Sequence, residues 1–519
     1  MLDLLLRDAK FHTMDPARPT ARGLGIWRGR IVGFDDQVDS LPARRVVDLG
    51  GATVLPGFVD AHVHMVWAGL RENALSVAPC ARVDAVLDAI DRAPGAPGEW
   101  LDVVGYDQRG LGRHITADEL ESVARGRKVL LLHDSGHACV VNRAVLADLP
   151  AGVEHQDGFL AESGMAAARA LRQPYSLAEM VAAIRTAAST CLAEGVTTVA
   201  EAGVGGGLIS HSPVELAAYQ RADLPLRVRL MVAASLLRDV GAHAGDDLPR
   251  GMDLGIHTGF GGDRLGISAL KVFVDGGMMA RTAAMSAPYA GSDHSGQWYA
   301  DPDEIRRHIR DGHRAGWQLA VHAIGDRAVD LALDTIAEAQ RRHPRSDTRH
   351  RIEHAGAVRP DQLGRFAELG VSAVVQPSFL YYYGDDYAAV MGPERADWLY
   401  RGRGFLDNGV DLVASSDRPV TVGAPLRAIQ FMVTRQTQAG NVVGAGEAIS
   451  IAEALRAYTV AGAHACRMEH AVGSLAEGKL ADLVVLGDDP HTVEPDRVGG
   501  IQVVATAVDG AVVHGQELW

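Results

Sequence analysis

The middle of the chain alternates short apolar runs with longer stretches whose apolar residues recur every three or four positions. That pattern constrains the fold to βαβ units around a parallel sheet. Eight runs stand out as strands. VLPGFVDAHVH ends at His64, GVTTVAEAG near Gly203, LRVRLMVAA near Ala233 and ISALKVFVDG near Gly276. WQLAVHAIG then surrounds His322, HRIEHAG surrounds His354, VSAVVQP ends at Pro377 and VDLVASSDRP surrounds Asp417. Helical stretches such as SLAEMVAAIRTAASTCLAEG and DEIRRHIRDGHRAG lie between most of them. Eight strands alternating with helices predict a TIM-type (β/α)8 barrel, which takes roughly 250 residues; the 519 residues present leave room for satellite modules.

Both ends read differently. LDLLLRDA, RGLGIWRGRIVGFDD and ARRVVDLGGATVLPG at the start, and GSLAEGKLADLVVLGDD, GIQVVATAVDG and AVVHGQELW at the finish, are short alternating strands broken by Gly, Pro or Asp. They predict one small β-sandwich domain built from residues 1–55 and 466–519, flanking a barrel over residues 56–465. Residues of about 70–174 fit no barrel strand. They contain LDVVGYD, KVLLLHDSGH and the helix-like ARVDAVLDAIDRA, and far exceed the 2–6 residues of an ordinary βα loop. We assign them to an inserted α/β subdomain, expected over the barrel mouth.

Composition narrows the partners. There are 65 acidic and 50 basic residues, a net charge of −15, and no Lys/Arg cluster to follow a phosphate backbone, so nucleic acid is not expected. No apolar run approaches the roughly 18 residues of a membrane span, and Arg7 and Asp8 interrupt the first apolar stretch too early for a signal peptide. The expectation is a cytoplasmic protein with a small-molecule substrate. Cys80, Cys139, Cys191 and Cys466 lack the short spacings of a zinc ribbon or redox pair and read as reduced thiols.

The chemistry lies at the strand ends. His62 and His64 are two apart on a strand, so both imidazoles face one side and can reach one ion, and Asp60 shares their parity. Lys271 interrupts an apolar strand, where an unpaired ammonium would cost several kcal/mol. Either it is a structural ion pair or its amine is carboxylated to a carbamate that bridges metals; its parity sends Asp275 toward the barrel mouth. His322, His354 and Asp417 close three further strands. In TIM barrels functional groups project from the C-terminal ends of several strands, and here strands one, four, five, six and eight each end in a metal-capable side chain.

The motifs PGFVDAHVH, KVFVDGGMMARTA followed by PY, HAIGDRA, RIEHA, SDRPV and VGSLAEGKLADLVVL span nearly the whole chain. With them the sequence resembles the amidohydrolase superfamily, and most closely its family 3 branch, which includes N-substituted formamide deformylases. GHACVVNRAVL, carrying His137 and Asn142, matches the same branch. The resemblance implies a distorted TIM barrel with a β-sandwich from both termini. It implies one or two divalent ions, zinc foremost, on His62, His64, Lys271, His322, His354 and Asp417, with Lys271 carboxylated. A homodimer is an expectation at the same level. Arg418 departs from the pattern, standing where a small residue such as Ala is expected; it either reads an anionic substrate group or braces Asp417.

The expected reaction is hydrolysis of a C–N bond in an amide, N-substituted formamide or cyclic amide by metal-bound hydroxide, with Asp417, Lys271 and His322 as the catalytic groups. Trp67, His137, Asn142, Arg281, Asp326 and Arg418 are the expected substrate contacts. A loop after Pro377 bearing Phe379, Tyr381, Tyr382, Tyr383 and Tyr387 is read either as packing or as a pocket wall. Two alternatives stay open: a deaminase, esterase or phosphoesterase on the same metals, and a non-catalytic regulator that has kept the barrel.

Overall fold

The computed structural model describes residues 1–134, 138–161, 163–206 and 209–515. The chain forms two compact units. One comprises Met1–Met65, Ala187–Ser210 and Tyr219–Trp519, and the other Val66–Thr186 and His211–Ala218.

The first unit holds an eight-stranded parallel sheet curled into a nearly closed barrel. Its strands are β1 (Phe58–Val63), β2 (Val196–Val204), β3 (Arg227–Ala233), β4 (Leu265–Phe273), β5 (Leu319–Ala323), β6 (Arg351–His354), β7 (Ser372–Val375) and β8 (Leu412–Ala414). They pair in chain order. Six lie within the apolar runs that predicted them; β2 overruns its run by one residue, at Val204, and β4 starts two residues before its run, at Leu265. Just beyond β8 the two edges meet. The Asp417 N–H donates to His62 O at 2.8 Å and the His64 N–H to Arg418 O at 2.8 Å, while the Ser416 N–H donates to Asp60 Oδ1 at 3.0 Å. Asp60 therefore holds the barrel seam.

Strand register aligns the chemistry. Lys271 pairs across from Ala320 and Phe273 from His322, and Ala323 pairs across from His354. Side chains at these strand ends thus share one rim. Ala61, Ala200, Ala202, Ala269 and Ala320 belong to one buried cluster with Met231, Val374 and Val413, and Lys271, Arg351 and Glu353 are buried charged groups of the same sheet.

Strands from both termini form two further sheets in this unit. One has four strands: Arg30–Phe34, Leu24–Trp27, Leu2–Arg7 and Ala43–Asp48. The other has six: Ala511–His514, Val503–Val508, Leu483–Leu486, Thr53–Pro56, Lys10–His12 and Thr20–Ala21. Leu4, Leu6, Ile26 and Phe34 of the first share a core with Phe11, Val54, Leu483 and Val485 of the second. Arg227 on β3 makes a buried two-point ion pair with Asp482, at 2.7 and 2.8 Å, which ties the barrel to the six-stranded sheet.

The second unit has a five-stranded sheet that includes Trp100–Tyr106 and Lys128–His133, with the helix Val83–Arg92. It runs on to Thr186, twelve residues beyond the expected end at 174. No described helix is long and apolar enough to cross a membrane.

One local reading changes. The segment after Pro377 is not a loop but the helix Pro377–Met391, begun by a proline whose fixed φ suits the first helical turn. Gly325, just after His322, is needed for close packing: its φ is an ordinary −78°, but a Cβ there would lie 2.0 Å from Ala284 O.

Candidate metal centre

Five strands deliver the six expected ligands. β1 contributes His62 and, one residue past its end, His64; β4 contributes Lys271, β5 His322 and β6 His354, and Asp417 follows β8. Their exposures run from 0% for His62 to 9% for His322. Among the described residues, one ligand atom each from His62, His354 and Asp417 lies within 4.8 Å of the others. The remaining three join this trio at its edges. His64 Nε2 is 3.0 Å from Asp417 Oδ1 and Lys271 Nζ is 3.4 Å from His62 Nε2. The His322 ring lies 4.5 Å from that of His354.

Each of three imidazoles is anchored through Nδ1. His62 Nδ1 bonds Glu353 Oε2 at 2.5 Å. Arg351 donates to the same carboxylate, at 2.9 Å from Nη2, and to Ala61 O at 2.6 Å, so a buried Arg351–Glu353–His62 relay runs from β6 back to β1. His354 Nδ1 bonds Gln376 Oε1 at 2.7 Å, and Gln376 Nε2 donates to Ser415 Oγ at 3.0 Å. His64 Nδ1 faces Glu201 Oε1 at 3.4 Å. Glu201 in turn accepts the Met65 N–H at 2.7 Å and the Tyr219 hydroxyl. An Nδ1–H held by such acceptors leaves the Nε2 lone pair for a cation, the arrangement found behind metal-bound histidines.

Electrostatics fit the same group. Burial pushes His62 and His354 well below the usual imidazole range, with Lys271 adding to the shift at His62 and His322 at His354. Burial opposes charge at His64 too, yet the Asp417 and Glu201 carboxylates outweigh it and raise His64 to about 9. These carboxylates call for positive charge at His64, which a proton or a metal ion supplies. Asp417 is held below its ordinary value: burial works against ionisation, but His62, His64 and Lys271 prevail. Its Oδ1 lies 3.4 Å from His62 Nε2 and 3.0 Å from His64 Nε2, yet is buried without a hydrogen bond of good geometry. An orphaned carboxylate oxygen facing imidazole nitrogens fits a bound divalent cation.

The backbone is bent to make this site. His354, Ala355 and Asp417 have φ of 72°, 42° and 55°, in the left-handed region that costs a non-glycine residue of order 1–3 kcal/mol. The Asp417 N–H bond to His62 O helps to hold one of these strained turns.

Several expected substrate residues are structural. Asn142 accepts the Val129 N–H at 2.9 Å and donates to Arg127 O at 2.9 Å and Glu121 Oε2 at 2.8 Å, so its amide braces the second unit's sheet instead of facing a substrate. Asp326, at the start of helix Asp326–Arg342, accepts the Ser286 N–H at 2.9 Å and Arg359 Nη1 at 3.0 Å. Arg418 is buried and pairs with Glu194; its carbonyl and the Asp417 N–H stitch the seam, which favours the bracing reading. Arg281 is half-buried in a left-handed turn whose N–H donates to Met278 O at 2.9 Å. Trp67 lies on helix Met65–Asn73, in the second unit. His137 lies outside the described residues.

Asp275 does more than its parity suggested. It accepts N–H groups from Ile324, Gly325 and Ala284 at 2.8–3.0 Å and lies 3.4 Å from His322 Nε2. In the aromatic helix, Phe379 stacks on His354 at 6.2 Å, and Tyr387 stacks on Tyr400 at 6.2 Å. Sequence reasoning missed Glu201, Glu353 and Gln376 as supports for the histidines. The signal that marked Lys271, a charge within an apolar strand, is equally present at Glu201 and Glu353.

Metal-capable groups at the ends of five parallel barrel strands form a candidate metal centre. The chain belongs to the amidohydrolase family: residues 45–514 match the Amidohydro_3 family model, as the motifs anticipated. It is similar to the N-substituted formamide deformylase of Arthrobacter pascens, with 29% identity over 99% of this chain and 98% of that relative. Two solved structures are similar over nearly their full length, both described as uncharacterized metal-dependent hydrolases. The one from Pyrococcus horikoshii is 26% identical with a TM-score of 0.79, covering 95% of this chain and 99% of that one. The one from Pyrococcus furiosus is 28% identical, also at 0.79, covering 94% and 100%.

Proposed function

We propose that this chain is a metal-dependent amidohydrolase that cleaves a C–N bond in an amide, an N-substituted formamide or a cyclic amide. His62, His64, Lys271, His322, His354 and Asp417 would hold one or two divalent ions, and their nitrogen and oxygen donors suit zinc. The observation that carries the reading is the convergence of His62, His354 and Asp417, each imidazole anchored from behind and Asp417 Oδ1 unbonded. The similar deformylase supports the substrate class.

A divalent ion held by these residues would supply a water whose pKa falls from about 15.7 toward about 7, and would polarise a carbonyl oxygen. Asp417 would take up the proton of the attacking water at the carboxylate oxygen that does not face the imidazoles, and pass it to the departing nitrogen, which cannot leave as an amide anion. Glu353, Glu201 and Gln376 keep His62, His64 and His354 from rotating. Lys271 as an ammonium would repel a cation beside His62. Burial brings it down to about 8, against the pull of Glu353 and Asp417, so the neutral amine is accessible. Its Nζ adds to the carbon of CO2, forming an N–C bond and releasing a proton to solvent. The anionic carbamate reverses the charge at that position and would serve as a ligand. Phe379 against His354, and the stacked Tyr387 and Tyr400 beyond it, offer an apolar wall for a nitrogen substituent.

The test is a panel of N-alkyl and N-aryl formamides, N-acyl amines, a cyclic amide and matched esters, presented to protein stripped with chelator and then given zinc and bicarbonate. Amine release that appears only after reconstitution, with the amides ahead of the esters, is the expected result. Turnover confined to esters or amidines would move the assignment to another reaction on the same metals.

A further inference from the structure

A second set of metal-capable side chains lies outside the barrel strands, where the two ends of the chain meet in the six-stranded sheet. His12 closes the strand Lys10–His12, and Asp489 and His491 follow the strand Leu483–Leu486. One ligand atom from each lies within 4.8 Å of the others. His12 Nε2 is 3.2 Å from both Asp489 oxygens, and the His12 and His491 rings lie 4.5 Å apart. Asp489 is buried, His12 half-buried and His491 exposed.

We propose that His12, Asp489 and His491 form a second divalent-metal site, of zinc type, which staples the N-terminal and C-terminal segments together and takes no part in hydrolysis. Two imidazoles and one carboxylate are a common donor set for zinc and its neighbours. The exposed side of His491 leaves a coordination position for solvent. The loop is built in advance: Asp489 Oδ1 accepts the His491 N–H at 2.9 Å, and Asp489 O accepts the Thr492 N–H at 2.9 Å. Protonation states agree with this geometry. Burial opposes ionisation of Asp489, but Lys10, the His491 N–H and His12 hold it at about 2. Burial and the neighbouring His12 keep His491 below its usual value, in the neutral form that binds metal. His12 and Asp489 are separated by 477 positions. A bond between them removes closure entropy that grows with loop length, and metal affinity becomes folding stability.

Lys10 competes for this site. Its ammonium bonds Asp489 and, with half its side chain exposed, occupies the place of a cation while remaining able to swing into water. That competition separates a metal site from a plain ion pair.

The experiment is zinc titration of the full-length chain, read as metal equivalents by plasma emission and as the shift in melting midpoint. It compares wild type, His12→Asn, His491→Asn, Lys10→Gln, and Lys271→Ala, in which the barrel site is disabled. The proposal expects His12→Asn and His491→Asn each to lose one equivalent, or to bind it at least about tenfold more weakly, and to lose part of the zinc-induced rise in midpoint with hydrolase activity unchanged. It expects Lys10→Gln to bind that equivalent more tightly than wild type, and Lys271→Ala to retain it. Equal equivalents and equal midpoint shifts in wild type, His12→Asn and His491→Asn would overturn it, whatever the barrel site does. So would weaker zinc binding in Lys10→Gln, which would mark the cluster as an ion pair.

Discussion

Asp417→Asn is expected to lower kcat/KM by about 10²–10⁴-fold, the usual range for losing a positioned general acid–base group. Asparagine keeps the size of the side chain and the backbone N–H bond to His62 O that closes the barrel seam. It cannot take up a proton from water, and it removes the negative charge facing His62 and His64 Nε2. The melting midpoint should stay near that of wild type, so the loss is chemical and not a failure to fold. Steady-state kinetics on the best amide substrate, beside a thermal melt, make the check. Activity within a few-fold of wild type would remove Asp417 from the mechanism.

Glu353→Ala should damage both stability and metal binding. Glu353 and Arg351 are fully buried, and the carboxylate is shared between the Arg351 guanidinium and His62 Nδ1. Removing it strands a buried cation, which costs about 3–5 kcal/mol, and frees the His62 ring, which typically costs about 10–100-fold in metal affinity. Glu353→Gln separates these effects: it keeps an acceptor for Nδ1 and gives up the charge that pairs with Arg351. Chemical denaturation reads the first quantity, and competition with a chromophoric chelator reads the second. Wild-type metal affinity in Glu353→Ala would mean that the relay does not orient His62.

The barrel strands were legible because each contains a contiguous apolar run, and the candidate ligands stood out because each lies at or near the end of one. His62, Lys271, His322, His354 and Asp417 needed only local pattern and the rule that barrel chemistry sits at strand C-termini. What was not legible depends on pairing between distant residues. Glu353 supports His62 across 291 positions and Gln376 supports His354 from the next strand; neither partnership leaves a trace in local periodicity. The same limit hid the scaffold partners of Asn142, Asp326 and Arg418. A polar residue beside a family motif looks alike in sequence whether it faces a ligand or, like Asp326 with Ser286 and Arg359, satisfies buried groups of the scaffold. The helix after Pro377 was read as a loop because three successive tyrosines, Tyr381 to Tyr383, blur the helical period that Phe379, Leu380, Tyr387 and Met391 follow in the folded chain.

The most direct test of the metal-dependent site is metal content per chain by plasma emission spectrometry. It compares Lys271→Ala with an otherwise identical chain that keeps Lys271, both carrying His491→Asn so that only the barrel centre is counted. Near-stoichiometric zinc or a related metal in the Lys271 chain, largely lost in Lys271→Ala, is the predicted result. A Lys271 chain that takes up neither metal nor hydrolase activity after incubation with zinc and bicarbonate would contradict it.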